Sequence, residues 1–137
     1  MKKEEILEKF VCAPCRVAVV GASPKPERPV FRVMSYLSGA GFTLFPLNPA
    51  YEGTEIAGRL CGASLESLTG PVDIVALFLS ADKQGAVAPG LDKMSPKPVV
   101  WFQPGAENAS LAEELTQKGY DVVPSACLME DHMNMCR

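Results

Sequence analysis

Apolar residues in this chain fall in short dense runs, and the runs alternate between two periods. Val17–Val20 is continuously apolar, as expected of a parallel strand covered on both faces. After a turn of small residues, Val30, Val33, Met34 and Leu37 recur at helical spacing. They predict a helix over 29–38, stopped by Gly39 and Gly41. Phe42–Leu47 reads as a second strand, ended by Asn48-Pro49. Residues 50–64 are glycine-rich without a strong period and read as a loop, with a short strand near Arg59–Cys61, and Ser64–Leu68 looks like one helical turn. Val72–Leu79 is the clearest strand after the first.

The second half repeats the alternation. A broken helix is expected between 82 and 94, interrupted by Pro89 and Gly90. Val99–Phe102 is a buried strand with Gln103-Pro104-Gly105 as its exit turn. Asn108 is placed to cap a helix running to Lys118 and stopping at Gly119, packed through Leu111, Ala112 and Leu115. Tyr120–Val123 reads as the last strand and 126–134 as a terminal helix. At the other end, residues 3–11 form a short amphipathic helix with Ile6, Leu7 and Phe10 on one side. Residues 1–14 are then a helix and linker capping the sheet within one domain spanning 1–137. Strands alternating with helices predict a three-layer α/β architecture with a mostly parallel five- or six-stranded sheet. Right-handed crossovers put every strand's carboxyl end on one edge. Ligands bind outside such ends, where the strand order reverses.

Composition narrows the function. An apolar content of 47% and a charged content of 21% describe an ordinary globule. The formal net charge of −3 and the lack of a basic run argue against nucleic acid as a partner. No apolar run approaches the ~20 residues that span a membrane, and no apolar stretch follows Lys2-Lys3 to make a secretory signal. The expected location is the cytoplasm, where the five cysteines would be mostly reduced thiols. Cys12-Ala13-Pro14-Cys15 has the spacing of redox and zinc motifs, but it leads into a strand rather than a helix, so linker thiols are the expectation. His132, the one histidine, has no nucleophile or carboxylate beside it in the pattern and reads as a surface or helix-end residue.

The candidate chemistry is at the turn Gly21-Ala22-Ser23-Pro24-Lys25. Small residues keep this turn narrow, so backbone amides can approach a ligand. The following helix aims its amino terminus and dipole at the same place, which suits phosphate. Lys25, Arg28 and Arg32 crowd the loop with positive charge. The turn is neither G-x-G-x-x-G nor a Walker loop. A dinucleotide domain for NAD usually carries an acid at the end of its second strand, and here Asn48-Pro49 stands there.

Gly21-Ala22-Ser23-Pro24-Lys25-Pro26-Glu27-Arg28-Pro29, Pro46-Leu47-Asn48-Pro49, Val72-Asp73-Ile74-Val75 and Trp101-Phe102-Gln103-Pro104-Gly105 occur in an order and spacing that resembles the small stand-alone CoA-binding proteins. These are similar to the amino-terminal domain of the succinyl-CoA synthetase alpha subunit. The resemblance covers about residues 11–132. It implies a Rossmann-like domain that binds coenzyme A, with Gly21, Ala22, Ser23, Pro24, Lys25 and Arg28 at the phosphate loop. It further implies Asn48 and Pro49 in the next loop, Phe78 and Leu79 flanking the nucleotide, Gln103 and Gly105 in the fourth loop, and Cys127 after the last strand. Relatives often carry an arginine just after the third strand's Phe; Leu79-Ser80 stand here instead. The phosphorylated histidine of the synthetases belongs to a second domain, so ligase chemistry does not travel with the fold.

The leading expectation is therefore a noncatalytic module whose partner is CoA or an acyl-CoA, with a homodimer as a compatible assembly. An NAD(P)-binding oxidoreductase fragment, or a partner-binding subunit with a vestigial nucleotide pocket, remains an alternative.

Overall fold

The computed structural model describes residues 1–136. Five strands form one parallel sheet: β1 (Arg16–Val20), β2 (Thr43–Leu47), β5 (Ile74–Leu77), β6 (Val99–Phe102) and β7 (Val122–Val123). A separate antiparallel hairpin is made by β3 (Glu55–Ile56) and β4 (Arg59–Leu60). The sheet order is β2-β1-β5-β6-β7. The chain leaves β1 towards β2 on one side and returns to β5 on the other, so the order reverses between β1 and β5. This is the three-layer, Rossmann-like α/β architecture that the alternation of periods predicts.

Side-chain alternation sorts the core into two layers. Val17 and Val19, Ile74 and Ala76, and Val99 and Trp101 point to one face; Ala18, Val75, Leu77, Val100 and Phe102 point to the other. The first face is covered by α1 (Lys3–Ile6) with the π-helical turn Leu7–Val11, by α2 (Pro29–Gly39) and by α5 (Leu128–Met135). The second is covered by α3 (Val87–Leu91) and α4 (Ala109–Gln117). Asn108 caps α4 through Oδ1, which accepts from Leu111 N–H at 3.2 Å.

Four expectations need correction. The break predicted at Pro89 and Gly90 is absent, because both lie inside α3. Pro89 falls in the first turn, where no intrahelical N–H is required. A side chain at Gly90 would come within 3.0 Å of Leu65, so this glycine lets the 3-10 turn Leu65–Ser67 approach α3. The loop predicted over 50–64 contains the β3–β4 hairpin instead of one short strand. The sheet strands expected at 42, 72 and 120 begin later, at Thr43, Ile74 and Val122.

The last correction concerns the cysteines. Cys12 is no linker thiol: it is disulfide-bonded to Cys136, with Cα atoms 4.9 Å apart. Cys15 is left alone, and burial followed by the charge of Asp73 pushes its thiol up to about 12. The C-x-x-C spacing thus joins two cysteines of unrelated fates. His132 lies between α2 and α5, its Nδ1 2.7 Å from the Tyr36 hydroxyl and its ring edge-on to Tyr36 and Phe42. Among the described residues, no helix is long and apolar enough to cross a membrane, and no three metal-ligating side chains converge.

Candidate functional site

The loops that follow β1, β2, β5 and β6 meet at the carboxyl edge of the sheet, and hydrogen bonds between them fix their spacing. Gly21 and Ala22 both donate their N–H groups to Leu47 O, at 2.9 and 3.2 Å. Asn48 Nδ2 donates to Ala22 O at 2.9 Å, and its Oδ1 accepts from Ala50 N–H at 2.9 Å. The first and second loops are therefore stitched together. This has a consequence for the phosphate turn: two amides that the sequence offers to a ligand are already committed to the protein. Gly21 is favoured for another reason. Its φ of +93° suits glycine, and a Cβ there would approach Leu79 Cδ2 to 2.9 Å.

The third and fourth loops are joined by Gln84, which is buried with 3% exposure. Its Nε2 donates to Leu79 O at 2.8 Å and to Ala106 O at 2.7 Å, and its Oε1 accepts from Asn108 Nδ2 at 3.0 Å. Gly105, at φ +94°, donates to Glu107 Oε1 at 2.8 Å, and Glu107 Oε2 accepts from Ser125 Oγ at 2.7 Å. The Ser125 hydroxyl, then backbone N–H groups, hold the Glu107 carboxyl below its ordinary range. Past β7, the segment around Cys127 is pinned from both sides. Ala126 O accepts from the Trp101 indole N–H at 2.8 Å, and Leu128 N–H donates to Gln103 Oε1 at 2.9 Å.

Between these loops lie two adjoining hollows of about 400 and 420 Å³, which share Arg28, Pro29, Phe78 and Pro104 as walls. The outer hollow is bounded by Gly21, Ser23, Asn48, Leu79 and Gly105, and also by Tyr51, Ser80 and Lys83. The inner hollow is bounded by Gln103 and Cys127, with Arg32, Val33 and Met129 and the carboxylates Glu27 and Glu130. Among the described residues, Arg28 and Lys83 form no ion pair. The outer hollow carries two cations and no carboxylate, whereas the inner one balances two arginines against two glutamates. An anion is favoured in the first and a neutral, partly apolar group in the second.

Of the residues singled out in the sequence, Gly21, Ser23, Arg28, Asn48, Phe78, Leu79, Gln103, Gly105 and Cys127 all border this double cleft. Ala22, Pro24, Lys25 and Pro49 do not border it. Ala22 is buried under the turn. The Lys25 side chain is exposed, and its N–H donates to Ser23 Oγ at 3.1 Å. Sequence reasoning missed Tyr51, Lys83 and Gln84. Tyr51 ends a 3-10 turn in a segment read as loop, and Lys83 and Gln84 fall in a segment read as broken helix. Lys83 brings charge to the third loop four residues beyond Leu79.

Known proteins share this fold. A structure from Thermus thermophilus, cell-free ID.343, superimposes with a TM-score of 0.88 at 32% identity, covering 98% of each chain. A hypothetical protein from Pyrococcus horikoshii OT3 gives a TM-score of 0.82 at 33% identity, covering 96% of this chain and 88% of that one. The uncharacterized protein YneT of Bacillus subtilis (strain 168) is 32% identical over 117 residues, 85% of this chain and 84% of its own. Residues 15–133 match the sequence profile of the CoA binding domain, and the chain belongs to that family.

Proposed function

We propose that this protein binds coenzyme A or an acyl-CoA in the double cleft and works as a binding module rather than a catalyst. The observation that carries the reading is the polarity of the cleft. Two cations with no ion pair among the described residues, and no carboxylate, line one end, and the other end is mixed and carries a thiol, Cys127. CoA has the same polarity, with phosphates at its nucleotide end and a neutral pantetheine ending in sulfur. Hollows of this size suit organic ligands. Arg28 and Lys83 could hold phosphate oxygens by charge-assisted hydrogen bonds, and the amino terminus of α2 opens beside them through Pro29 and Val30. Asn48, at the place where an NAD site keeps an acid, spends its side chain on Ala22 and Ala50, which disfavours ribose-diol recognition. His132 is engaged with Tyr36 outside the cleft walls, which supports binding without acid–base chemistry.

The test is a thermal-shift comparison of CoA, acetyl-CoA, NAD and NADP, since a ligand that binds the folded state raises the melting temperature by mass action. CoA and acetyl-CoA should stabilise the protein and NAD should not. Stabilisation by NAD alone would reject the reading in favour of an oxidoreductase fragment. Cys127 offers a chemical readout of the same site. Its thiolate would attack one sulfur of CoA disulfide, release the other CoA as thiolate, and leave a Cys127–CoA mixed disulfide. Peptide mapping should find that adduct on Cys127 before Cys15 or Cys61, whose thiols burial pushes up.

A further inference from the structure

We infer that Lys83 is the residue that reads the terminal phosphomonoester of the ligand and so separates a 3′-phosphorylated adenosine from an unphosphorylated one. The inference rests on the CoA reading and assigns one of its groups. The two cations of the outer hollow differ in place. Arg28 borders both hollows, so it sits where the middle of an extended ligand must pass. Lys83 borders the outer hollow alone. CoA carries its charges in the same order: a diphosphate in the middle, and a ribose phosphate at the end away from the thiol. With the thiol end at Cys127, the diphosphate falls at Arg28 and the ribose phosphate at Lys83.

Local structure makes Lys83 a prepared contact rather than a wandering side chain. It ends the 3-10 turn Ala81–Lys83. Ser80 Oγ closes that turn on Asp82 Oδ1 at 2.6 Å. The next residue is the buried Gln84, held to Leu79, Ala106 and Asn108. Asp82, the nearest acid in sequence, takes its main partner from Ser80; the charge of Lys83 acts on it as a lesser influence, without a close ion pair. Among the described residues the ammonium has no ion-pair partner, and a compact point charge of this kind suits a phosphomonoester.

Isothermal titration of wild type, Lys83→Gln and Arg28→Gln with CoA and with 3′-dephospho-CoA tests the assignment. Wild type should bind CoA more tightly than dephospho-CoA. Lys83→Gln should weaken CoA roughly tenfold, the size of one charge-assisted hydrogen bond, and leave dephospho-CoA nearly unchanged. Arg28→Gln should weaken both. If Lys83→Gln weakens both ligands equally or neither, or if wild type does not distinguish them, Lys83 is not the phosphomonoester contact although CoA binding stands. If wild type binds neither ligand, the CoA reading itself fails and the assignment falls with it. Circular dichroism of each variant controls for folding.

Discussion

Trp101 and Phe102 are neighbours in β6, and both are fully buried, but they stand in layers that are held together differently. Phe102 packs among the residues under α3 and α4, where burial is supplemented by the Tyr120 hydroxyl donating to Leu91 O at 3.1 Å. Trp101 packs under α1, α2 and α5, where the chain is also strapped. Its indole N–H bonds Ala126 O, Tyr36 meets His132, and the Cys12–Cys136 bridge closes the far end of α5. One end of α5 therefore carries the wall of the inner hollow at Cys127, and the other end carries a covalent tie. An eight-residue helix is only about 12 Å long, so the tie and the site are separated by a single rigid element. The inner hollow belongs to the strapped layer, whereas Gln84 and Asn108 connect the outer hollow to the layer held by packing.

Truncating the two aromatics should separate these roles. Trp101→Ala and Phe102→Ala should each cost about 3–5 kcal/mol in urea unfolding, as large buried aromatics do. Only Trp101→Ala should also free the 126–128 segment, which would show as a changed rate of Cys127 modification under native conditions. Equal rates in both variants would mean that the indole bond does not position Cys127. The next largest effect is expected from the strap. The bridge closes a sequence separation of 124 residues, and removing a native disulfide typically costs about 2–4 kcal/mol. Cys12→Ser and Cys136→Ser should each lower the melting temperature to that of reduced wild type and become insensitive to reductant. A wild-type melting curve that reductant does not move would deny the bridge any part in stability.

The last effect, confined to alkaline solution and absent at neutral pH, is a pH slope from Cys15. Its folded-state thiol lies at about 12, above the ordinary 9.0, through burial first and Asp73 second. A raised value means that the folded state keeps a proton that the unfolded chain gives up. The contribution is complete below about pH 9 and is lost as pH rises towards 12. Cys15→Ala should flatten stability against pH in that window compared with wild type, as read from urea midpoints. An unchanged slope would place the loss elsewhere.

Periodicity made the parallel sheet legible because Val17–Val19 and Val99–Phe102 are buried on both sides and carry no polar interruption. The first loop was legible for a related reason: Gly21 must be small where Leu79 crosses it, and Arg28-Pro29 opens α2. Polar residues that turn inward were harder to see. Gln84 looks like any surface glutamine in sequence, and only the meeting of Leu79 and Ala106 around it explains its burial. Lys83 inherits that position. The Cys12–Cys136 bridge was hidden because its cysteines are 124 positions apart, and the local Cys12–Cys15 spacing suggested only linker thiols. Lys25 was singled out by its place in the phosphate loop and by the family resemblance; its side chain is exposed and does not border the two hollows.

The β3–β4 hairpin has a consequence for the chain's behaviour in a crowded solution. β2 is an outermost strand of the sheet, a position that ordinarily offers its backbone to any extended segment nearby. Here Gly62, just after the hairpin, takes that place: its N–H donates to Pro46 O at 3.0 Å, and its carbonyl accepts from Asn48 N–H at 2.9 Å. Pro46 itself has no donor to give. At the opposite margin β7 is only two residues long. A foreign strand therefore meets a rim already occupied at its Pro46–Asn48 end on one side and scarcely any rim on the other, so the sheet is poorly suited to template its own extension into aggregates.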